Sequence, residues 1–211
     1  MNSFPTKQLE AWKGLFGDEY VNRNAYADWK VKEGAKAFRT ILDENEVSSI
    51  LEVGSNIGLN LIYLNELFKK NVDLYAIEPN EKAFRKLTKE NPVKIKKAWN
   101  CDAFNLPLKE SSVDLVFTAG VLIHIAPDDL GRITDEIIRV SKRYVLCIEY
   151  FSRDPVEVAY RGQRGLLYKR DFGSYYLDRF PELYCAKYGF LWQRDFQVFD
   201  SPNWWLFEKK P

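Results

Sequence analysis

From Ser48 onward the sequence alternates short apolar runs, rich in Val and Ile, with stretches of helical periodicity. No other feature constrains the fold as much. Runs at 48–54, 72–78, 93–98, 113–119 and 143–150 have the length and β-branched content of buried strands. Between them lie LNLIYLNELFKK, NEKAFRKLTKEN and DDLGRITDEIIRVSK, whose apolar residues recur with the period of a helix. Strands alternating with helices predict an α/β fold with a mostly parallel sheet covered on both faces. After Tyr150 a polar loop over 151–170 leads to a helix near 171–179, and aromatic-rich strands near 184–192 and 203–208 close the chain. Trp204 and Trp205 are consecutive on the last strand, so they face opposite sides of the sheet, where core packing accounts for both. Residues 1–45 read as two or three short helices interrupted by Gly14, Gly17 and Gly34. The expected organisation is a helical extension over 1–45, folded as a lid on a single domain of residues 46–211.

Composition narrows the class of function. The 211 residues, 46% hydrophobic and 15% aromatic, suit one domain with an ample core. The 31 basic and 30 acidic side chains leave a formal charge of +1, without the strongly basic surface that a nucleic-acid binder uses. Cys101, Cys147 and Cys185 form no C-x-x-C and read as reduced thiols of a cytoplasmic protein. MNSFPTKQLEAW lacks the basic start and apolar run of a signal peptide, and no stretch approaches the ~18 apolar residues of a membrane span. One histidine and scattered cysteines offer no metal-ligand spacing. The expectation is a cytoplasmic monomer or homodimer with a small-molecule partner, not a nucleic acid or a membrane.

SILEVGSNIGLNLIYL, residues 48–63, runs from a strand through a small-residue turn into a helix, the arrangement that holds a ligand against backbone N–H groups. Its small residues, Gly54, Asn56 and Gly58, are spaced one residue tighter than the dinucleotide fingerprint. In an open parallel sheet ligands bind beyond the carboxyl ends of the strands, where the strand order reverses. Glu52, Glu78, Asp102 and Glu149 all fall on that edge. A pyrophosphate against the first turn would be repelled by Glu52, whereas a ligand with an ammonium, a sulfonium and one carboxylate is net cationic and fits. That ligand is S-adenosylmethionine (SAM). Gly54 lets the backbone approach the methionine part, because a Cβ would fill the ligand's space. Asn56 tolerates a positive φ, and Gly58 allows the helix to pack close to the strand. Glu78, 24 residues beyond Gly54, can accept from both ribose hydroxyls, Asp102 from the adenine amine, while Phe104 or Ile57 covers the adenine face. Ser55, Pro79, Ala103, Ala119 and Gly120 complete the expected cofactor set from the same strand ends. From the N-terminal extension, Tyr20 and Arg23 are expected over SAM, with Arg23 meeting its carboxylate.

ILEVGSNIG, YAIEPN, CDAFNLPLKESSVDLVF and VLIHI resemble the class I SAM-dependent methyltransferases over about residues 45–150. That resemblance implies a Rossmann-like, seven-stranded sheet ordered 3-2-1-4-5-7-6 with the last strand antiparallel. More narrowly, FGDEYVNRN, AGVLIHIAPDDL, EYFSRDPVEVAYRGQ, LYKRDF and NWWLFEK are similar to the pseudaminic acid biosynthesis-associated methylases. This implies a bacterial setting and an acceptor related to nonulosonic-acid sugars of surface glycans.

His124, in GVLIHI just past the fourth strand, is the one candidate general base, or else a structural histidine bonded to a backbone carbonyl. In YRGQRGLLYKRDF, Arg161, Arg164 and Arg170 with Tyr160 could hold a phosphorylated or nucleotide-activated sugar, because guanidinium forks bind phosphate bidentately. Glu149 and Tyr150, at the tip of strand five, could touch the acceptor. Protein or RNA methylation, and SAM binding without catalysis, are the alternatives.

Overall fold

The computed structural model describes residues 6–42, 47–69 and 71–210. The expected boundary at 45/46 lies outside the described residues. Three helices open the chain: α1 (Lys7–Lys13), α2 (Leu15–Arg23) and α3 (Asp28–Ile41). Strand β1 (Ser49–Val53) feeds α4 (Leu59–Leu67), β2 (Asp73–Ile77) feeds α5 (Glu81–Lys89), and β3 (Lys97–Trp99) leads to β4 (Val113–Ala119). A 3-10 turn, Leu122–His124, precedes α6 (Pro127–Val140), then β5 (Ser141–Glu149). The polar loop that follows holds a two-residue hairpin, β6 (Val156–Glu157) with β7 (Tyr168–Lys169). Helix α7 (Phe172–Arg179) and strands β8 (Leu183–Phe190) and β9 (Asn203–Lys209) complete the order.

The main sheet runs β3-β2-β1-β4-β5-β9-β8. Strands β1 to β5 are parallel, and β9 is antiparallel to both its neighbours. This is the expected Rossmann-like order, with β8 and β9 standing for the sixth and seventh strands. The third strand is shorter than its apolar run. Only Lys97–Trp99 pair with β2, because β3 is an edge strand. Val93 and Ile95 pack from coil against the core instead. Ser141 and Lys142, the end of the stretch DDLGRITDEIIRVSK expected to be helical, lie in β5.

Strand alternation splits the core between two faces. Ile50, Phe117, Leu146 and Trp204 join one cluster, while Leu51, Val116, Val145 and Phe207 join the other. Trp204 and Trp205 separate to opposite faces, as their adjacency requires. Helices α3 and α4 cover the first face, and α6 with α7 cover the second. Gly34 makes the α3–α4 contact possible: a Cβ there would stand 2.2 Å from the Tyr63 ring. Helix α3 is therefore integral to the core, with Phe38 and Ile41 fully buried, whereas α1 and α2 lie across the carboxyl edge of the sheet, tied to Asn80 after β2.

Candidate active site at the carboxyl edge of the sheet

A cavity of about 300 Å³ opens beyond the carboxyl ends of β1, β2, β4 and β5. Its floor is the turn after β1. Gly54 has φ +77 and Asn56 φ +48, so the backbone folds back sharply between strand and helix. A Cβ on Gly54 would come within 2.6 Å of Val121, so its neighbour is protein, not only ligand space. Gly58 caps α4 with φ +80 and points away from the cavity; a Cβ there would strike Asn91 and Leu87. Gly120, φ +67, lines the cavity, and a Cβ there would enter open space.

The carboxylates sit where the strand ends place them. Glu52 is buried, accepts from Asn60 Nδ2 at 2.7 Å, and is raised to about 8 chiefly by desolvation. Glu78 accepts from Asn80 N at 2.7 Å and Asn56 N at 2.6 Å, which ties the ends of β1 and β2 together. Burial raises it to about 7 despite those bonds. Asp102 lines the cavity and receives Phe104 N at 3.0 Å. Its loop is held from below, where Arg139 donates to the Leu106 and Leu108 carbonyls.

Glu149 has another role than the one expected from sequence. It is fully buried and accepts the N–H groups of Val121 at 3.1 Å, Leu122 at 3.0 Å and Ile123 at 3.3 Å. Its oxygens thus cap the 3-10 turn that carries His124, and burial raises it to about 7. His124 Nδ1 lies 2.6 Å from the Leu166 carbonyl, which can only accept. Nδ1 therefore bears the proton, and Nε2 offers a lone pair. Desolvation lowers His124 to about 4, so the ring is neutral at pH 7.

The N-terminal helices roof the cavity. Trp12, Gly17, Tyr20 and Asn24 line it, and Asn80 Nδ2 donates to the Trp12 carbonyl at 3.1 Å and to Asp18 at 2.9 Å. The Trp12 ring lies 4.5 Å from that of His124, centroid to centroid. Three buried side-chain atoms on the wall have no hydrogen-bond partner among the described residues: Trp12 Nε1, Glu52 Oε2 and Asn56 Oδ1. Such atoms cost free energy until a polar ligand meets them. Among the described residues the wall carries Glu52, Glu78, Asp102, Glu149 and Asp200 but no Lys or Arg. Orphaned acceptors, a carboxylate rim and the open space at Gly120 together fit a cationic ligand of SAM's shape and charge.

The structure brings most of the expected residues together. Tyr20, Glu52, Gly54, Ser55, Asn56, Ile57, Glu78, Pro79, Asp102, Ala103, Phe104, Ala119, Gly120, His124, Glu149 and Tyr150 all line the cavity. Arg23 does not; it is exposed on the last turn of α2, 5.2 Å from the Tyr20 ring, because helical periodicity turns it outward. The basic loop also stays off the wall. Tyr160 packs tilted against His124, ring centroids 5.4 Å apart, Arg161 is exposed over Tyr160, and Arg164 is exposed, its carbonyl accepting from Lys7. Arg170 packs on Tyr175 at 4.3 Å in a separate groove. Trp12, Asn60, Asn80 and Asp200 are site residues that the sequence reading passed over. Only Asn80 carries a local signal, as the N-cap of α5 directly after Glu78-Pro79.

Residues 51–148 match the methyltransferase-domain family. The chain carries a SAM-dependent methyltransferase domain. Its fold is shared with the 1,6-didemethyltoxoflavin N1-methyltransferase of Burkholderia thailandensis, crystallised with S-adenosylhomocysteine (TM-score 0.73, 15% identity, 100% of this chain and 92% of that one). Magnesium protoporphyrin IX methyltransferase of Synechocystis PCC 6803, crystallised with SAM, is similar over 100% of both chains (TM-score 0.67, 11% identity). A SAM-dependent methyltransferase from Aquifex aeolicus is similar over 90% of this chain and 97% of its own (TM-score 0.66, 15% identity). No curated protein matches the sequence. At these identities the likeness to solved structures is one of fold. The SAM cofactor follows from the methyltransferase domain, and the carboxylate rim described above suits it.

Proposed function

We propose that this domain methylates a small molecule that enters beside His124, under the roof of α1 and α2. The observation that carries this reading is the set of orphaned polar atoms on Trp12, Glu52 and Asn56, which converge on one cavity of about 300 Å³. A roofed cavity of this size suits a metabolite better than a protein or RNA strand. In this reading Glu52 and Asn56 hold the methionine part of SAM, Glu78 the ribose, and Asp102 with Phe104 the adenine. Helices α1 and α2 are the lid that excludes water, and holding nucleophile and methyl in contact supplies most of the rate.

The finer reading is a phosphorylated or nucleotide-activated sugar of nonulosonic-acid type, which rests on the sequence resemblance. The anionic end of such an acceptor would lie outside the carboxylate-lined cavity, toward the exposed loop beyond Tyr160, where Arg161 lies over the Tyr160 ring and Arg164 follows. The test is SAM turnover against panels of sugar phosphates, nucleotide sugars and their neutral counterparts. A preference for the anionic members, weakened about 10-fold by Arg161→Ala or Arg164→Ala with SAM affinity unchanged, supports the reading. Equal use of neutral acceptors, or variants that match wild type, would remove the anionic sugar and leave the methyl transfer.

A further inference from the structure

The geometry points to a nitrogen acceptor: the subsite beside His124 receives an amine, and the domain is an N-methyltransferase. This deepens the methyl-transfer reading of the same cavity and rests on it. The wall away from the first turn is aromatic. Trp12, Tyr20 and Tyr150 line it with His124, and Tyr160 closes it from behind. Among the described residues that line the cavity, the only charge on this side not engaged by backbone N–H groups is Asp200, because Glu149 has both oxygens so engaged. The nearest cations, Lys169, Arg23 and Arg161, lie off the lining, 5.0, 5.2 and 5.9 Å from the ring centroids of Tyr150, Tyr20 and Tyr160. Aromatic faces and a carboxylate attract an ammonium and repel an anion. The charge that develops in N-methylation is positive and forms on the acceptor nitrogen, which is where such a wall helps.

The state of His124 agrees. Its Nδ1–H is committed to the Leu166 carbonyl, so Nε2 can accept an N–H from a neutral amine and turn the nitrogen lone pair toward the methyl group. A hydroxyl acceptor would instead need a base that takes its proton, and a buried ring lowered to about 4 has little driving force for that. An amine needs none in the transition state. Its lone pair forms the N–C bond to the methyl carbon, the C–S bond breaks, and that electron pair stays on the sulfur. The methylated ammonium then releases one proton to water.

The test compares choline with its uncharged carbon isostere, 3,3-dimethylbutan-1-ol. Both are titrated into the full chain saturated with S-adenosylhomocysteine at constant ionic strength, following the indole N–H resonances by NMR. Choline should bind at least ~10-fold more tightly, the scale of a partly desolvated cation–π site. Asp200→Asn and Tyr150→Leu should each shrink that preference in protein held saturated with S-adenosylhomocysteine, whose binding also reports that the variants fold. If the isostere binds as tightly as choline, or neither shifts the spectrum of a protein that binds S-adenosylhomocysteine, the amine subsite is wrong. Failure to bind S-adenosylhomocysteine would instead overturn the methyl-transfer reading itself.

Discussion

Glu149 is the residue whose role the structure changes most, and its titration can be isolated. The carboxylate is fully buried, and its pKa is raised from 4.5 to about 7 by desolvation, against the pull of the N–H groups of residues 121–123. A raised carboxylate means that the folded state binds the proton more tightly than the unfolded state. Its contribution to stability is therefore present below pH 4.5 and is lost as pH rises through 7. Each pKa unit corresponds to about 1.4 kcal/mol, so the loss between pH 5 and pH 8 is roughly 2–3 kcal/mol from this group alone. Glu149→Gln keeps an acceptor for the turn but cannot titrate. Urea unfolding of both proteins at pH 5, 6, 7 and 8, without cofactor, should give curves that converge or cross as pH rises, wild type losing those 2–3 kcal/mol relative to the variant. Glu52 and Glu78 shift the same way but are common to both proteins, so the difference reports Glu149. Parallel curves would refute the assignment of a buried, proton-retaining carboxylate under the His124 turn.

The remaining expectations follow from single contacts. Gly34→Ala places a Cβ 2.2 Å from the Tyr63 ring and should destabilise by several kcal/mol, on the scale of core overpacking, visible as a lowered urea midpoint. Gly120→Ala has no steric neighbour and should cost about 1–2 kcal/mol for its positive φ, yet weaken SAM binding further because its methyl enters the cavity. Unchanged SAM affinity in that variant would place Gly120 off the ligand. His124, lowered from 6.5 to about 4, gives stability that is present above pH 6.5 and lost as pH falls through 4. His124→Gln should flatten that acid limb, and an unchanged limb would show that the ring is not buried neutral.

The parallel sheet and the strand-end carboxylates were legible because both rest on local patterns, whereas the order of the strands came from the family resemblance. Alternating strands and helices dictate the parallel sheet, and adjacency alone sends Trp204 and Trp205 to opposite faces. The turn at Gly54 and Asn56 was visible because a positive φ demands those residue types. What escaped the sequence depends on long-range placement. Trp12 and Asn80 meet across 68 positions of the chain, and nothing local marks Trp12 as part of a roof. Arg23, Arg161 and Arg164 match the chemistry of anion recognition, but helix phase and loop geometry leave them in solvent. Glu149 was placed correctly at a strand tip, yet its three N–H partners exist only because the turn after β4 folds back over β5.

The central claim is that buried carboxylates at the strand ends, with orphaned atoms on Glu52 and Asn56, hold SAM. Isothermal calorimetry of the full chain at pH 7.5 tests it directly, with SAM and NAD titrated separately into wild type and Glu78→Ala. The account predicts micromolar SAM affinity, about −8 kcal/mol, weakened by about 2 kcal/mol in Glu78→Ala, and no heat with NAD. NAD binding as tight as SAM, or SAM affinity unchanged in Glu78→Ala, would contradict it.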